Sequence, residues 1–275
     1  MKVAFIGLGS IGQFMARRLV RVGFEVIGCD ISPSSLEAFD EPGASREADP
    51  VAAVRGVDVA GICVLDDAQV EALAGDGRLF EAMGPGGTAV IHSTVSPDLP
   101  RRLAKVAAQH AVKLVDAGVS PGGPTIGEGK SSIFVGGDTE AVERARPYLE
   151  AFGTVAHLGP LGRGLEGKLL NNLTSTAGYG LAVSILSIAR ELGFDEETLR
   201  QAMLLGSAQS YALQVTPGLL RPHGHGAVGT LEGLYGTLKK DTDHAAELAG
   251  RDDPHTQVLM TAVRAMLDAL QRQGG

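Results

Sequence analysis

Two cysteines in 275 residues are too few for a disulfide framework. Both, Cys29 and Cys63, lie inside apolar strand-like runs, so they read as small core residues in a reducing compartment. Positive charge is also scarce. With 24 Lys and Arg against 32 Asp and Glu, the formal net charge is -8, which argues against a nucleic-acid partner, for which a basic patch would be expected. No apolar run has the character of a membrane span: the longest, Leu169 to Ala189, is interrupted by Asn171, Asn172 and several Ser, Thr and Gly, and reads as a buried helix. No secretory leader is expected, because residue 2 already begins a strand and a glycine-rich loop interrupts any apolar leader core; a cytoplasmic location follows. The seven histidines are scattered. His223 and His225 stand in a Pro/Gly stretch without a neighbouring acid or cysteine, so no metal site is expected. There is no internal repeat, low-complexity tract or flexible linker, and 44% hydrophobic with 20% charged residues is ordinary for a soluble globular enzyme.

What is present is concentrated in the first thirty residues. An apolar run, Val3-Ala4-Phe5-Ile6, leads into Gly7-Leu8-Gly9-Ser10-Ile11-Gly12, then a helical stretch with Met15, Leu19 and Val22 on one face, a second strand Glu25 to Cys29, and Asp30. This is the order that a dinucleotide requires. Gly7 permits the tight turn, Gly9 lets the backbone approach a pyrophosphate, Gly12 lets the helix pack closely, and the phosphates sit at the helix N-terminus formed by residues 7–12. The Asp30 carboxylate can accept hydrogen bonds from the adenosine ribose diol but repels a 2′-phosphate, so NAD is expected in preference to NADP.

Strand-like runs at Val3–Ile6, Glu25–Cys29, Ala60–Val64, Ala89–His92, Lys113–Asp116 and Ser132–Val135 alternate with helical patterns, which predicts βα units on a mostly parallel sheet. Ser96-Pro97 marks a helix start ahead of Leu103, Val106 and Ala107. From about Gly164 the strand signal stops. A long apolar helix over Gly167 to Leu192, with Gly178 and Gly180 available for close packing by another chain, and a last helix with Leu259, Val263, Met266, Leu267 and Leu270 on one stripe complete the chain. The fold class is therefore α/β: an N-terminal Rossmann dinucleotide-binding domain over residues 1–162 and an all-helical domain over 163–275 for substrate and oligomerisation, with the active site expected in the cleft between them.

A nicotinamide enzyme that oxidises an alcohol needs a group to take the hydroxyl proton. Lys168 is the candidate: it follows the glycine-rich turn 158–164 and opens the long helix, with Asn172 one turn later on the same face. A lysine in a water-poor cleft has its pKa lowered and becomes usable as a proton shuttle.

Four blocks in order, FIGLGSIG, DAGVSPGG, GRGLEGKLLNN and LKKD, together resemble the β-hydroxyacid dehydrogenase family, the 3-hydroxyisobutyrate dehydrogenase and tartronate semialdehyde reductase-like members of the 6-phosphogluconate dehydrogenase superfamily. The resemblance covers nearly the whole chain. It implies Lys168 as general acid/base, with Asn172 holding the substrate beside it. It further implies that Ser120, Gly122 and Gly123 cradle the acid end of the substrate, that Val64 and Leu65 line the cofactor ribose, and that Thr94 lies by the nicotinamide. Lys240 is implied to reach the cofactor and Asp241 to support the active-site network. The expected activity is hydride transfer between NAD and a small 3-hydroxy acid or its semialdehyde, in a homodimer or homotetramer.

The chain also departs from the family pattern. Pro121 replaces the first glycine of the usual pair and removes a backbone donor. A customary aromatic is absent from Gly233-Leu234-Tyr235-Gly236, Ser184 stands where a glutamate is usual, and relatives usually continue beyond the last helix. Two other functions stay open on sequence grounds, an imine reductase on the same scaffold and a non-catalytic nucleotide-binding module. Relatives of the first kind typically lack this lysine.

Overall fold

A computed structural model describes residues 1–221 and 230–274; His223 and His225 lie outside them. Eight strands are found among the described residues: β1 (Lys2–Ile6), β2 (Glu25–Cys29), β3 (Ser45–Glu47), β4 (Val59–Ile62), β5 (Thr88–Ile91), β6 (Lys113–Ser120), β7 (Ser131–Gly136) and β8 (Gly153–Gly159). They form one sheet in the order β3-β2-β1-β4-β5-β6-β7-β8. Every neighbouring pair is parallel except β6 and β7. This is the Rossmann-like sheet expected, extended by two strands that the sequence did not disclose, β3 and β8. β3 is only three residues, all polar, and β8 is half-exposed with a register irregularity opposite Val135 and Gly136. Neither carries the apolar run that marks a buried strand.

The interior follows from strand alternation. Val3 and Phe5 enter one core, together with Met15, Leu19, Tyr148 and Phe152, while Ala4 and Ile6 enter another, together with Val70, Phe80, Leu99 and Leu103. Both faces of the sheet are thus covered by helices, which is why its strands read as continuous apolar runs. Small differences have local causes. Val22 is 41% exposed rather than part of the buried stripe, because the first helix, Gly12–Arg21, ends just before it. The helix after Ser96 runs Asp98–Gln109 with Pro97 as its cap residue, and the Ser96 hydroxyl accepts the Asp98 N–H at 3.4 Å.

The chain divides into two compact units, Met1–Lys168 and Leu169–Gly275. The division falls inside one continuous helix, Arg163–Glu191, which begins four residues earlier than its apolar pattern indicates. In the second unit this helix is followed by Glu196–Leu205, Tyr211–Leu219, Leu231–Ala249 and Pro254–Gly274. Leu169, Leu173, Ala177, Ala245 and Val263 form a core there. Gly178 and Gly180 are used within the chain: a Cβ on Gly180 would overlap the Ala262 carbonyl, and one on Gly178 would press on Ala212. No described helix is long and apolar enough to cross a membrane.

His92, at the end of β5, is packed between Phe5 and Phe152. Its Nδ1 is 2.7 Å from the Ala117 carbonyl and its Nε2 is 2.7 Å from the Tyr148 hydroxyl. A carbonyl only accepts, so Nδ1 carries the proton and Nε2 accepts from Tyr148, which is a neutral ring. Burial lowers the His92 pKa from 6.5 to about 4. Between those values the unfolded chain binds the proton and the folded chain does not, so this contribution to stability is complete above pH 6.5 and is lost as the pH falls toward 4. Its size is roughly 3 kcal/mol. Urea unfolding of the protein and of His92→Gln is expected to show a stability difference that shrinks by about that amount between pH 7 and pH 4; a difference independent of pH would exclude a neutral, buried His92.

Candidate active site

The loop after β1 is set by steric limits on two of its glycines. Gly7 has φ of +96°, its N–H donates to the Cys29 carbonyl at 2.8 Å, and any Cβ on it would overlap the Cys63 carbonyl. A Cβ on Gly12 would overlap the Gly7 carbonyl, so the helix can start against the strand end only because both positions are glycine. Gly9 differs: nothing lies within 4 Å of the place its Cβ would take. Gly9 and Ser10 are exposed and Leu8 is buried beneath them. The cap residue Ile11 offers no side-chain acceptor and the first turn has no acid, so no side chain of the cap or first turn answers the positive helix end. These residues fit a pyrophosphate. Asp30 is fixed beside them, its Oδ2 accepting the Leu8 N–H at 2.7 Å and its Oδ1 the Ser32 N–H at 2.8 Å. Each oxygen retains a further lone pair for a ribose hydroxyl.

The loops after β4 and β5 are laced together. Val64 N–H donates to Ser93 Oγ at 2.8 Å, and Ser96 N–H donates to the Asp67 carboxylate at 3.0 Å. These bonds frame Thr94, which lies between the buried Ser93 and Val95. Leu65 is turned outward, 67% exposed. Asp66 caps the helix Asp67–Ala74 by accepting the Gln69 N–H at 2.9 Å.

The strand expected over Lys113–Asp116 runs on through the first part of the block DAGVSPGG: Asp116 to Ser120 lie within β6, paired residue by residue with β7, and only Pro121 to Gly123 form a loop. The antiparallel partner extends β6 beyond what its own residues signal. The Pro121 carbonyl accepts the Ser131 hydroxyl at 2.7 Å. Gly123, at φ of +66°, opens the short helix Pro124–Gly127, and the open side of Gly122 faces Ile11 of the dinucleotide loop. Ser120 is half-buried at the strand end.

Lys168 is only 9% exposed. Its stem crosses Gly118, where a Cβ would stand 2.6 Å from Lys168 Cβ and 2.7 Å from Cγ. Two residues before Gly118, Asp116 has no exposed surface; its Oδ1 accepts the Gly162 N–H and its Oδ2 the Leu165 N–H, each at 2.6 Å. Burial pushes the Asp116 carboxyl above its ordinary range, opposed by these two N–H groups and by the Arg101 guanidinium. Sequence reading did not single out Asp116 or Gly118. The available signal was an acid inside the apolar run 114–119, which requires a partner if buried.

In the second unit, Asn172 Nδ2 donates to Asp241 Oδ2 at 2.6 Å, and Asp241 is nearly buried. Lys240 Nζ lies 3.7 Å from the other Asp241 oxygen. The structure thus brings Gly7 to Gly12, Asp30, Val64, Leu65, Thr94, Ser120, Gly122, Gly123 and Lys168 into the first unit, and joins Asn172, Lys240 and Asp241 in the second.

Residues 2–159 match the NAD-binding domain of 6-phosphogluconate dehydrogenase. The chain is 34% identical over 219 residues to an NAD-dependent L-serine dehydrogenase of Pseudomonas aeruginosa, covering 78% of this chain and 72% of that one. It is 32% identical over 216 residues to the 3-hydroxyisobutyrate dehydrogenase of the same organism, with 78% and 72% covered. The fold is shared with the solved 3-hydroxyisobutyrate dehydrogenase from Salmonella typhimurium, at a TM-score of 0.82 and 23% identity over 99% of this chain and 95% of that one.

Proposed function

The chain belongs to the β-hydroxyacid dehydrogenases of the 6-phosphogluconate dehydrogenase superfamily, and from that membership we propose that it oxidises a small 3-hydroxy acid to its semialdehyde with NAD. The observation that carries this reading is the placement of Lys168. A nearly buried lysine lies across Gly118 on β6, and Ser120, two residues on, projects from the same face of that strand. L-serine and 3-hydroxyisobutyrate, named for two relatives, each carry a hydroxyl on the carbon next but one to a carboxylate. Ser120, Gly122 and Gly123 hold that carboxylate, and Asn172, kept in orientation by Asp241, holds the hydroxyl. The Lys168 amine takes the hydroxyl proton as hydride leaves the carbon that bears the hydroxyl, and returns it in the reverse direction. Bound NAD supplies the hydride acceptor at nicotinamide C4. Val64, Leu65 and Thr94 line its ribose and nicotinamide half.

Lys168→Ala is expected to lower kcat by about 10²- to 10⁴-fold while leaving NADH affinity nearly unchanged. This is read by following reduced nicotinamide at 340 nm against a panel of 3-hydroxy acids that includes L-serine and 3-hydroxyisobutyrate. Near-normal turnover in the variant, or reduction of imines with no turnover of hydroxy acids, would overturn the reading.

Asp30 beside Leu8, followed by the exposed Ile31 and by Ser32, offers a ribose diol two acceptors and a 2′-phosphate no guanidinium. A higher kcat/KM with NAD than with NADP is expected, eroded in Asp30→Ala. Equal or better efficiency with NADP would defeat this assignment.

The soluble unit proposed is at least a homodimer. Leu181, Ile185, Ile188 and Leu192 are 64%, 38%, 50% and 70% exposed at helical spacing along and just beyond the long helix, a stripe that a second copy would cover. Light scattering at micromolar concentration is expected to give a dimer mass or larger; a fully active monomer would exclude it.

A further inference from the structure

We propose that Asp116 and Gly118 are positioning residues for Lys168, an inference that rests on the dehydrogenase reading above. Strand β6 pairs without irregularity from Asp116 to Ser120, so Asp116, Gly118 and Ser120 project from one face. Each does something different along that row. Asp116 fixes where the helix Arg163–Glu191 begins, because its two oxygens take the N–H groups of Gly162 and Leu165 on either side of the first helical residues. A carboxylate also suits the positive end of a helix. Gly118 fixes how closely the helix lies, because its missing side chain is the space that the Lys168 stem occupies. Ser120 then ends the strand where the loop proposed to take the substrate carboxylate starts.

The contact at Gly118 is with the part of Lys168 that cannot swing away. A methyl there would stand 2.6 Å from Lys168 Cβ, where carbon atoms ordinarily rest about 3.5–4.0 Å apart. Since Cβ is bonded to the helix backbone, the helix itself must move by about an ångström to relieve it. Gly136 and Gly164 close the seat from the other side, with a Cβ on either standing 2.5 or 2.6 Å from an Asp116 oxygen. Neither Asp116 nor Gly118 need touch the substrate to matter, since misplacing a reacting group by about 1 Å can cost on the order of 10²-fold in rate.

The test is a set of double variants. Gly118→Ala and Asp116→Asn are made alone and in combination with Lys168→Ala, then assayed with NAD and with L-serine or 3-hydroxyisobutyrate, with NADH affinity measured by fluorescence. Each single variant is expected to lose about 10- to 100-fold in kcat and to keep its NADH affinity. In the Lys168→Ala background neither is expected to lower the residual rate further, because both act through the missing amine. Losses that multiply in that background, or loss of NADH binding in both single variants, would mean a seat that serves only the fold, and would overturn the proposal. A Gly118→Ala protein that turns over normally while Lys168→Ala is impaired would overturn the positioning role and leave the dehydrogenase reading intact. An unimpaired Lys168→Ala would overturn the reading itself. Should Gly118→Ala fail to fold, Asp116→Asn, which preserves side-chain shape, decides by the same comparison.

Discussion

A carboxylate without solvent is costly unless its oxygens are answered, and Asp116 is answered by two backbone N–H groups at the start of the long helix. That constraint joins the sheet to the helix. Leaving such a group unpartnered would cost several kcal/mol, so the register between β6 and the first turn is strongly held. Gly136 and Gly164 allow the approach, since side chains at either position would occupy the space of the carboxylate itself. Lys168 takes its place on the sheet from this attachment, one and a half turns along the helix.

The opposite end of the chemistry is governed by backbone too. At the C-terminal ends of β1, β2, β4 and β5, short bonds connect Gly7 to Cys29, Leu8 to Asp30, Val64 to Ser93 and Ser96 to Asp67. Strand order reverses on either side of β1, with β2 to one side and β4 to the other, and that is where an open α/β sheet leaves room for a dinucleotide. Loops tied to one another in this way give a cofactor fixed contacts and little freedom to lose on binding. Gly9 is the exception, an uncovered stretch of backbone in an otherwise packed turn.

The helical unit has different demands. Its long helix serves two surfaces, with Leu169, Leu173 and Ala177 in the core and Leu181, Ile185 and Ile188 outward. Its glycines are consumed internally: Gly180 lets the backbone of the last helix come close at Ala262. The small residues are therefore not available to a second chain, and the outward leucines and isoleucines are the surface that the proposed dimer would cover. Asn172 and Asp241, distant in sequence, form a 2.6 Å hydrogen bond in this unit, so that amide is held in one orientation.

Local sequence determined a good deal. The run Val3 to Ile6, the spacing of Gly7, Gly9 and Gly12, and the arrival of Asp30 after a second strand fixed a Rossmann start, because glycine geometry and strand periodicity are properties of short segments. The absence of strand signals after Gly164 fixed a helical second half for the same reason. Lys168 was legible once its block was set beside the others. Only tertiary structure decided the rest. β3 and β8 exist because β2 and β7 offer them hydrogen-bond partners, not because their residues prefer the strand, and β6 reaches Ser120 because β7 returns antiparallel beside it. An acid inside the run 114–119 signals that Asp116 needs a partner, but which groups answer it, and what Gly118, Gly136 and Gly164 make room for, depend on atoms that the chain brings back from tens of residues away.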